Sequence, residues 1–107
     1  MSQGFQTQIL YPKKDGAKFD LDYYKSTHMP MVVKHWKSAG LKSYSVAQLV
    51  GDGPYSYSCH MEWESSEAFH TAMKDQTAYN EIMGDISNFS SEHPAAQLMG
   101  PVVDRSS

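Results

Sequence analysis

One cysteine, Cys59, in 107 residues rules out an internal disulfide and fits a reduced compartment. Positive charge is also scarce, with nine lysines and arginines against twelve acidic residues and a formal net charge of −3. The basic residues form no stripe along the sequence, so neither a nucleic acid nor an anionic membrane is an expected partner. No apolar run approaches the roughly 20 residues of a spanning helix. The opening MSQGFQTQ carries neither the basic nor the apolar region of a secretory signal, and a cytoplasmic location is expected. There is no Gly-x-Gly-x-x-Gly and no Gly-Lys-Ser/Thr loop, so a nicotinamide or nucleotide lacks its usual phosphate cradle. Metal-ligand spacing is missing too. His28 and His35 lie two helical turns apart, about 10.5 Å along an axis. That is too far for one ion holding each ligand at about 2 Å, unless a kink folds them together. His60, His70 and His93 form no His-x-x-x-His pair. Neither a metal nor a cofactor is expected.

A hydrophobic fraction of 40% with seven tyrosines argues for a packed domain, taken as one unit over residues 1–107. Its centre is Phe19 to Trp36, FDLDYYKSTHMPMVVKHW. Asp20 is a suitable N-cap, Asp22 suits the positive end of the helix dipole, and the helix is predicted from Leu21. Leu21, Tyr24, His28, Met31, Val32, His35 and Ala39 follow steps of three and four and share a face. Gly40 supplies the stop. Pro30 removes an amide donor and crowds the carbonyl of Ser26, which predicts a kink beside His28. The kink frees backbone groups next to a titratable ring, as a site would need. The plainer reading is a curved helix with His28 as a hydrogen-bonded core residue.

Phe5 to Tyr11 alternates as a first strand, and the segment from Pro12 to Gly16 is turn-like. Lys42 to Val50 reads as a second strand and Tyr55 to Trp63 as a third, paired across the Gly51-Asp52-Gly53-Pro54 turn. Cys59 lies on the apolar side of the third strand and reads as filler. His60 and Glu62 take the other side, where they face solvent or line a wet cavity. Ser65 and Ser66, with Glu67 and Ala68 after them, read as the cap and first turn of a second helix running to about Asp75, with a short helical continuation over Thr77 to Met83. Asp85 to Pro94 reads as a loop anchored by Phe89, and Ala95 to Val103 as the last strand. The tail from Asp104 reads as a frayed end.

The order is β-α-β-β-α-β, the ferredoxin-like α+β arrangement, with four antiparallel strands and both helices on one face. The other face is expected to keep apolar residues that a second copy covers, giving a homodimer in which two sheets close into a dimeric α/β barrel. Each subunit keeps a pocket for a small-molecule ligand between its sheet and its helices.

Tyr11-Pro12, Gly16, Phe19-Asp20, Tyr23-Tyr24 and His28-Met29-Pro30, followed by Asp85-Ile86, Asn88-Phe89 and Pro94, resemble the two signatures of the EthD family, named for ethyl tert-butyl ether degradation. Ser87 stands where proline is common in that family, and Met31 where leucine is common. The resemblance covers nearly the whole chain. It implies the dimeric α/β barrel superfamily, which includes cofactor-free isomerases of lactones, polyketide cyclases, decarboxylases and some monooxygenases. It also implies a histidine near position 28 acting as acid or base in the cleft.

Three functions follow. The first is cofactor-free acid–base chemistry, of isomerase, cyclase or lyase type, on an aromatic or lactone-like metabolite. His28 moves the proton, Tyr24 or Tyr11 donates to a developing oxyanion, Trp36, Trp63 and Phe89 form apolar walls, and Met31 and His35 join Tyr11 and these walls as substrate-binding residues. Tyr23 and Tyr24 point about 100° apart on a helix, and the periodic face selects Tyr24. The second is a non-catalytic binding or auxiliary protein of a degradation pathway. The third is an oxidoreductase, as the family's common label has it.

Overall fold

In the computed structural model residues 4–106 are described. Strand β1 (Phe5–Pro12) leads through a loop to a helix in three consecutive pieces, α-helical over Leu21–Tyr23, π-helical over Tyr24–His28 and α-helical again over Met29–Trp36, together called α1. Strands β2 (Leu41–Gln48) and β3 (Tyr55–Trp63) follow, then helices α2 (Ser66–Lys74) and α3 (Gln76–Gly84), a 3₁₀ turn at Ile86–Asn88 and strand β4 (Ala96–Pro101). The sheet order is β2-β3-β1-β4 with every neighbouring pair antiparallel, the ferredoxin-like topology.

Local chemistry fixes the element ends. Asp20 accepts from Tyr23 N at 3.0 Å and Ser65 from Ala68 N at 3.0 Å, satisfying first-turn amides that have no helical partner. Asp75 closes α2 and opens α3, its amide bonding to Ala72 O and its carboxylate accepting from Ala78 N, so one acidic residue divides the second helical stretch. Gly40, at φ +124°, ends the turn after α1, and a Cβ there would meet the Ala68 Cβ at 2.5 Å.

The expected kink takes the form of a π turn, in which Met29 N bonds back to Tyr24 O. The turn admits one extra residue just ahead of Pro30, whose ring would otherwise crowd the helix. The extra residue rotates everything after it. Tyr24, His28, Met29, Val32 and Trp36 are buried, whereas Met31, His35 and Ala39, expected on that face, are only partly covered.

Tyr57, Cys59, Met61 and Trp63 of β3 join Phe5, Ile9 and Tyr11 of β1 in a core roofed by Val32, Trp36, Phe69, Ile82 and Phe89. Trp63 and Cys59 are essentially inaccessible, and Trp63 Nε1 donates to Thr7 Oγ1 at 3.2 Å. Alternation sends Gln6, Gln8, Ser43, Ser45, His60 and Glu62 to the opposite face of the sheet. That face is therefore less apolar than expected, with Leu10, Ala47, Ala96 and Leu98 as its apolar members. Two strands are shorter than their patterns predict. After Gln48 a single Leu49 N to Ser56 O bond continues the pairing and Val50 projects into solvent, while β4 ends at Pro101 with one Val102 N to Gly4 O bond beyond it.

Candidate functional site

The cap at Asp20 and the π turn place Tyr24 and His28 of α1 against the segment after α3. The Tyr24 and His28 rings stack with centroids 5.3 Å apart and planes 16° from parallel. Phe89 packs against both, at 4.8 Å from Tyr24 and 4.6 Å from His28. Phe89 is held by a backbone clasp: its carbonyl accepts from Asp20 N at 2.7 Å, and Ser91 N donates to Lys18 O at 3.0 Å.

Asp85 completes the cluster. Its Oδ2 lies 2.9 Å from His28 Nδ1, and its Oδ1 accepts from the Tyr23 hydroxyl at 2.6 Å and from Asn88 Nδ2 at 2.9 Å. The carboxylate sits at the C-terminal end of α3, where the helix dipole opposes negative charge. Burial pushes its pKa up, yet the three donors together hold it below the ordinary carboxylate value. For His28 burial dominates and lowers the pKa, with Asp85 pulling the other way. At neutral pH the ring is therefore neutral, its Nδ1–H donates to Asp85, and Nε2 carries the lone pair. His28 Nε2 makes no hydrogen bond among the described residues.

Beside the ring, between sheet and helices, is an apolar cavity of about 30 Å³ lined in part by Tyr11, Tyr24, His28, Trp36, Cys59 and Met83. Burial pushes the phenols of Tyr11 and Tyr24 far above their ordinary values, so both remain O–H donors. Trp36 Nε1 is buried with no hydrogen-bond partner, an orphaned donor of the kind an acceptor in the cavity would satisfy.

Of the residues singled out from the sequence, His28, Tyr24, Tyr11 and Trp36 meet at this cavity, and Phe89 backs the imidazole without lining it. Met31, His35 and Trp63 do not reach it. The π turn carries Met31 and His35 aside, and His35 Nε2 instead lies 2.9 Å from Glu81 Oε2. Trp63 is sealed in the core. The sequence reading left Asp85 and Tyr23 without a role. Asp85 carried two signals, its place in the second signature and an acidic side chain at the wrong end of a helix for the dipole. Tyr23 carried only its place in the first signature, because its partner is 62 positions away. Among the described residues no three His, Cys, Asp or Glu side chains converge as a metal site. No helix among them is long and apolar enough to cross a membrane.

No protein-family model matches the chain, and no curated protein does. Solved structures do match. An EthD-like protein from Ralstonia eutropha superposes with a TM-score of 0.84 at 30% identity, covering 100% of this chain and 98% of that one. A dimeric ferredoxin-like protein from an uncultured marine organism gives 0.65 at 17% identity, covering 96% and 98%. A cofactor-independent oxygenase from Streptomyces nogalater, SnoaB, gives 0.57 at 12% identity, covering 97% and 93%. The last two share the fold alone, whereas an identity of 30% over the full length, joined to the fold and both signatures, means that this chain belongs to the EthD-like family.

Proposed function

We propose that this protein is a small-molecule enzyme that moves a proton on a carbonyl-bearing metabolite, aromatic or lactone-like, with His28 Nε2 as the base. The observation that carries the reading is the part-buried hydrogen bond from His28 Nδ1 to Asp85 at 2.9 Å. It fixes the tautomer, orients the ring and stabilises the imidazolium that forms once Nε2 takes a proton. Nε2 removes a proton from the carbon beside the carbonyl, and the electron pair passes to the carbonyl oxygen. The hydroxyl of Tyr24 or Tyr11 then donates to that oxygen. Return of the proton at another carbon completes an isomerisation and restores neutral His28, with no oxidant or reductant consumed. Asp85 positions the base and does not itself take the proton.

A cavity of about 30 Å³ admits little more than one water, so a substrate must displace side chains. Met29 and Met83 line it and are flexible enough to move. The same small volume favours a second reading, a pathway auxiliary that binds the metabolite without converting it. An oxidoreductase reading draws on the oxygenase neighbour only through its fold.

A homodimer through the open sheet faces belongs to the proposal, supported by the dimeric ferredoxin-like neighbour. Native mass spectrometry of the purified protein is its test, with a dimer expected and a monomer sinking it. The catalytic reading is tested by deuterium exchange from D₂O into a panel of lactones and enolisable aromatic carbonyl compounds, followed by NMR. Exchange by the wild type that His28→Gln abolishes, with the fold retained, is expected. Equal exchange by the variant overturns the assignment, and retained ligand without exchange selects the auxiliary reading.

A further inference from the structure

A second hollow lies outside the His28 cavity, where β1 ends and β3 begins. Its volume is about 260 Å³, and Lys13, Lys14 and Lys18 surround an aromatic floor of Phe19 and Tyr57. Those two rings stack at 4.2 Å and 15°, and Tyr11 meets Phe19 edge-on at 5.1 Å. Glu92 is the only acidic residue in the lining, and its Oε1 lies 3.3 Å from Lys14 Nζ. Lys13 Nζ donates to the Gly51 carbonyl at 2.5 Å, while Lys18 Nζ has no partner among the described residues.

The lysines stand on fixed backbone. Lys18 N donates to Ser91 Oγ at 2.8 Å and Lys18 O accepts from Ser91 N. Lys13 N donates to Pro54 O, and Lys14 O accepts from Ala17 N. A chain with a net charge of −3 thus gathers three of its nine basic residues around one hollow, against a single carboxylate.

We propose that this slot binds a single-ring aromatic carboxylate, with the ring packed against Phe19 and Tyr57 and the carboxylate held by Lys18 and Lys14. The size agrees, since an apolar cavity of about 150 Å³ already accepts benzene and the slot is about 260 Å³. The stacked Phe19–Tyr57 pair supplies an aromatic wall for a ligand ring to pack against, and the ammonium groups select an anion. The site goes beyond the proton-transfer reading and shares only Tyr11 with that cavity, so each stands or falls separately.

The test is an NMR titration of the full chain at low salt with benzoate, benzamide and inorganic phosphate as probes. Benzoate is expected to saturate, shifting the amides of residues 13–19, 57 and 90–92. The neutral amide and the ringless phosphate should each bind more weakly, and His28→Gln should leave benzoate binding unchanged. Lys18→Gln, a change at an exposed side chain, should weaken benzoate about fivefold, and Phe19→Leu should weaken it too. The proposal is overturned if benzoate does not saturate, if phosphate binds as well as benzoate, if Lys18→Gln has no effect, or if the shifts centre on His28 and Asp85.

Discussion

The cavity at His28 and the slot at Lys18 meet at Tyr11, yet they are built on opposite terms. The first is about 30 Å³, apolar and lined by a histidine that is 4% exposed. The second is about 260 Å³, open and rimmed by charge. In the cavity, burial controls protonation: it lowers the pKa of His28 and raises those of the tyrosines, leaving a neutral base beside hydroxyl donors. In the slot, solvent screens every ammonium, so selectivity rests on several charges acting together over a rigid floor. Burial therefore sets chemical state in one region, and charge sets ligand preference in the other.

Phe89 joins the two, touching His28 at 4.6 Å on one side and Phe19 at 5.3 Å on the other. Its replacement should have the largest effect. Phe89→Ala is expected to cost about 3–5 kcal/mol by thermal or urea unfolding and to disturb both regions. A cost below about 1 kcal/mol would show that they are not joined through this ring. Asp85→Ala acts on the cavity alone. It leaves His28 Nδ1, the Tyr23 hydroxyl and Asn88 without an acceptor, and about 2–3 kcal/mol should be lost, with deuterium exchange reduced and benzoate binding intact.

The pH dependence separates the regions next. Because His28 binds its proton less readily folded than unfolded, stability should be full at neutral pH. It should decline as pH falls below about 6.5, the unfolded value, and through the lower folded one. Asp85, also lowered, adds a second decline below about pH 4. His28→Gln should flatten the first limb and keep the second, as read by unfolding midpoints across pH. If the first limb survives in that variant, another histidine is its source. The smallest effect belongs to the slot, where Lys18→Gln should change stability by no more than about 0.5 kcal/mol while weakening benzoate. A larger loss would mean that Lys18 is part of the packing.

Much of this was legible in the sequence where the signal is local. Asp20 and Ser65 as caps, Gly40 as a stop, and the one-sided alternation from Tyr57 to Trp63 depend on neighbours within a few residues, and the structure has them. The helical face was read correctly at Tyr24, His28 and Val32, whereas Leu21, Met31, His35 and Ala39 are only partly covered. Steps of three and four assume a uniform helix, and Pro30 is accommodated by an extra residue instead of a simple bend. Trp36 therefore took the place that the pattern gave to His35. The slot was not visible at all, because Lys13, Lys14 and Lys18 are ordinary loop lysines until Tyr57 and Ser90 come beside them.

By itself the sequence determined the order of elements, the one-sided apolar face of β3 and the pairing of Tyr24 with His28 on one helix, all consequences of backbone periodicity over short spans. Only the tertiary structure decided that Asp85, 57 positions from His28, would hold its Nδ1 proton. It also decided that the Tyr23 hydroxyl would point at the same carboxylate, and that Phe89 would stand between the two hollows. The physical reason is that hydrogen bonding and desolvation depend on distance in space. Periodicity carries distances within one element, and contacts between elements are fixed only when the whole core closes.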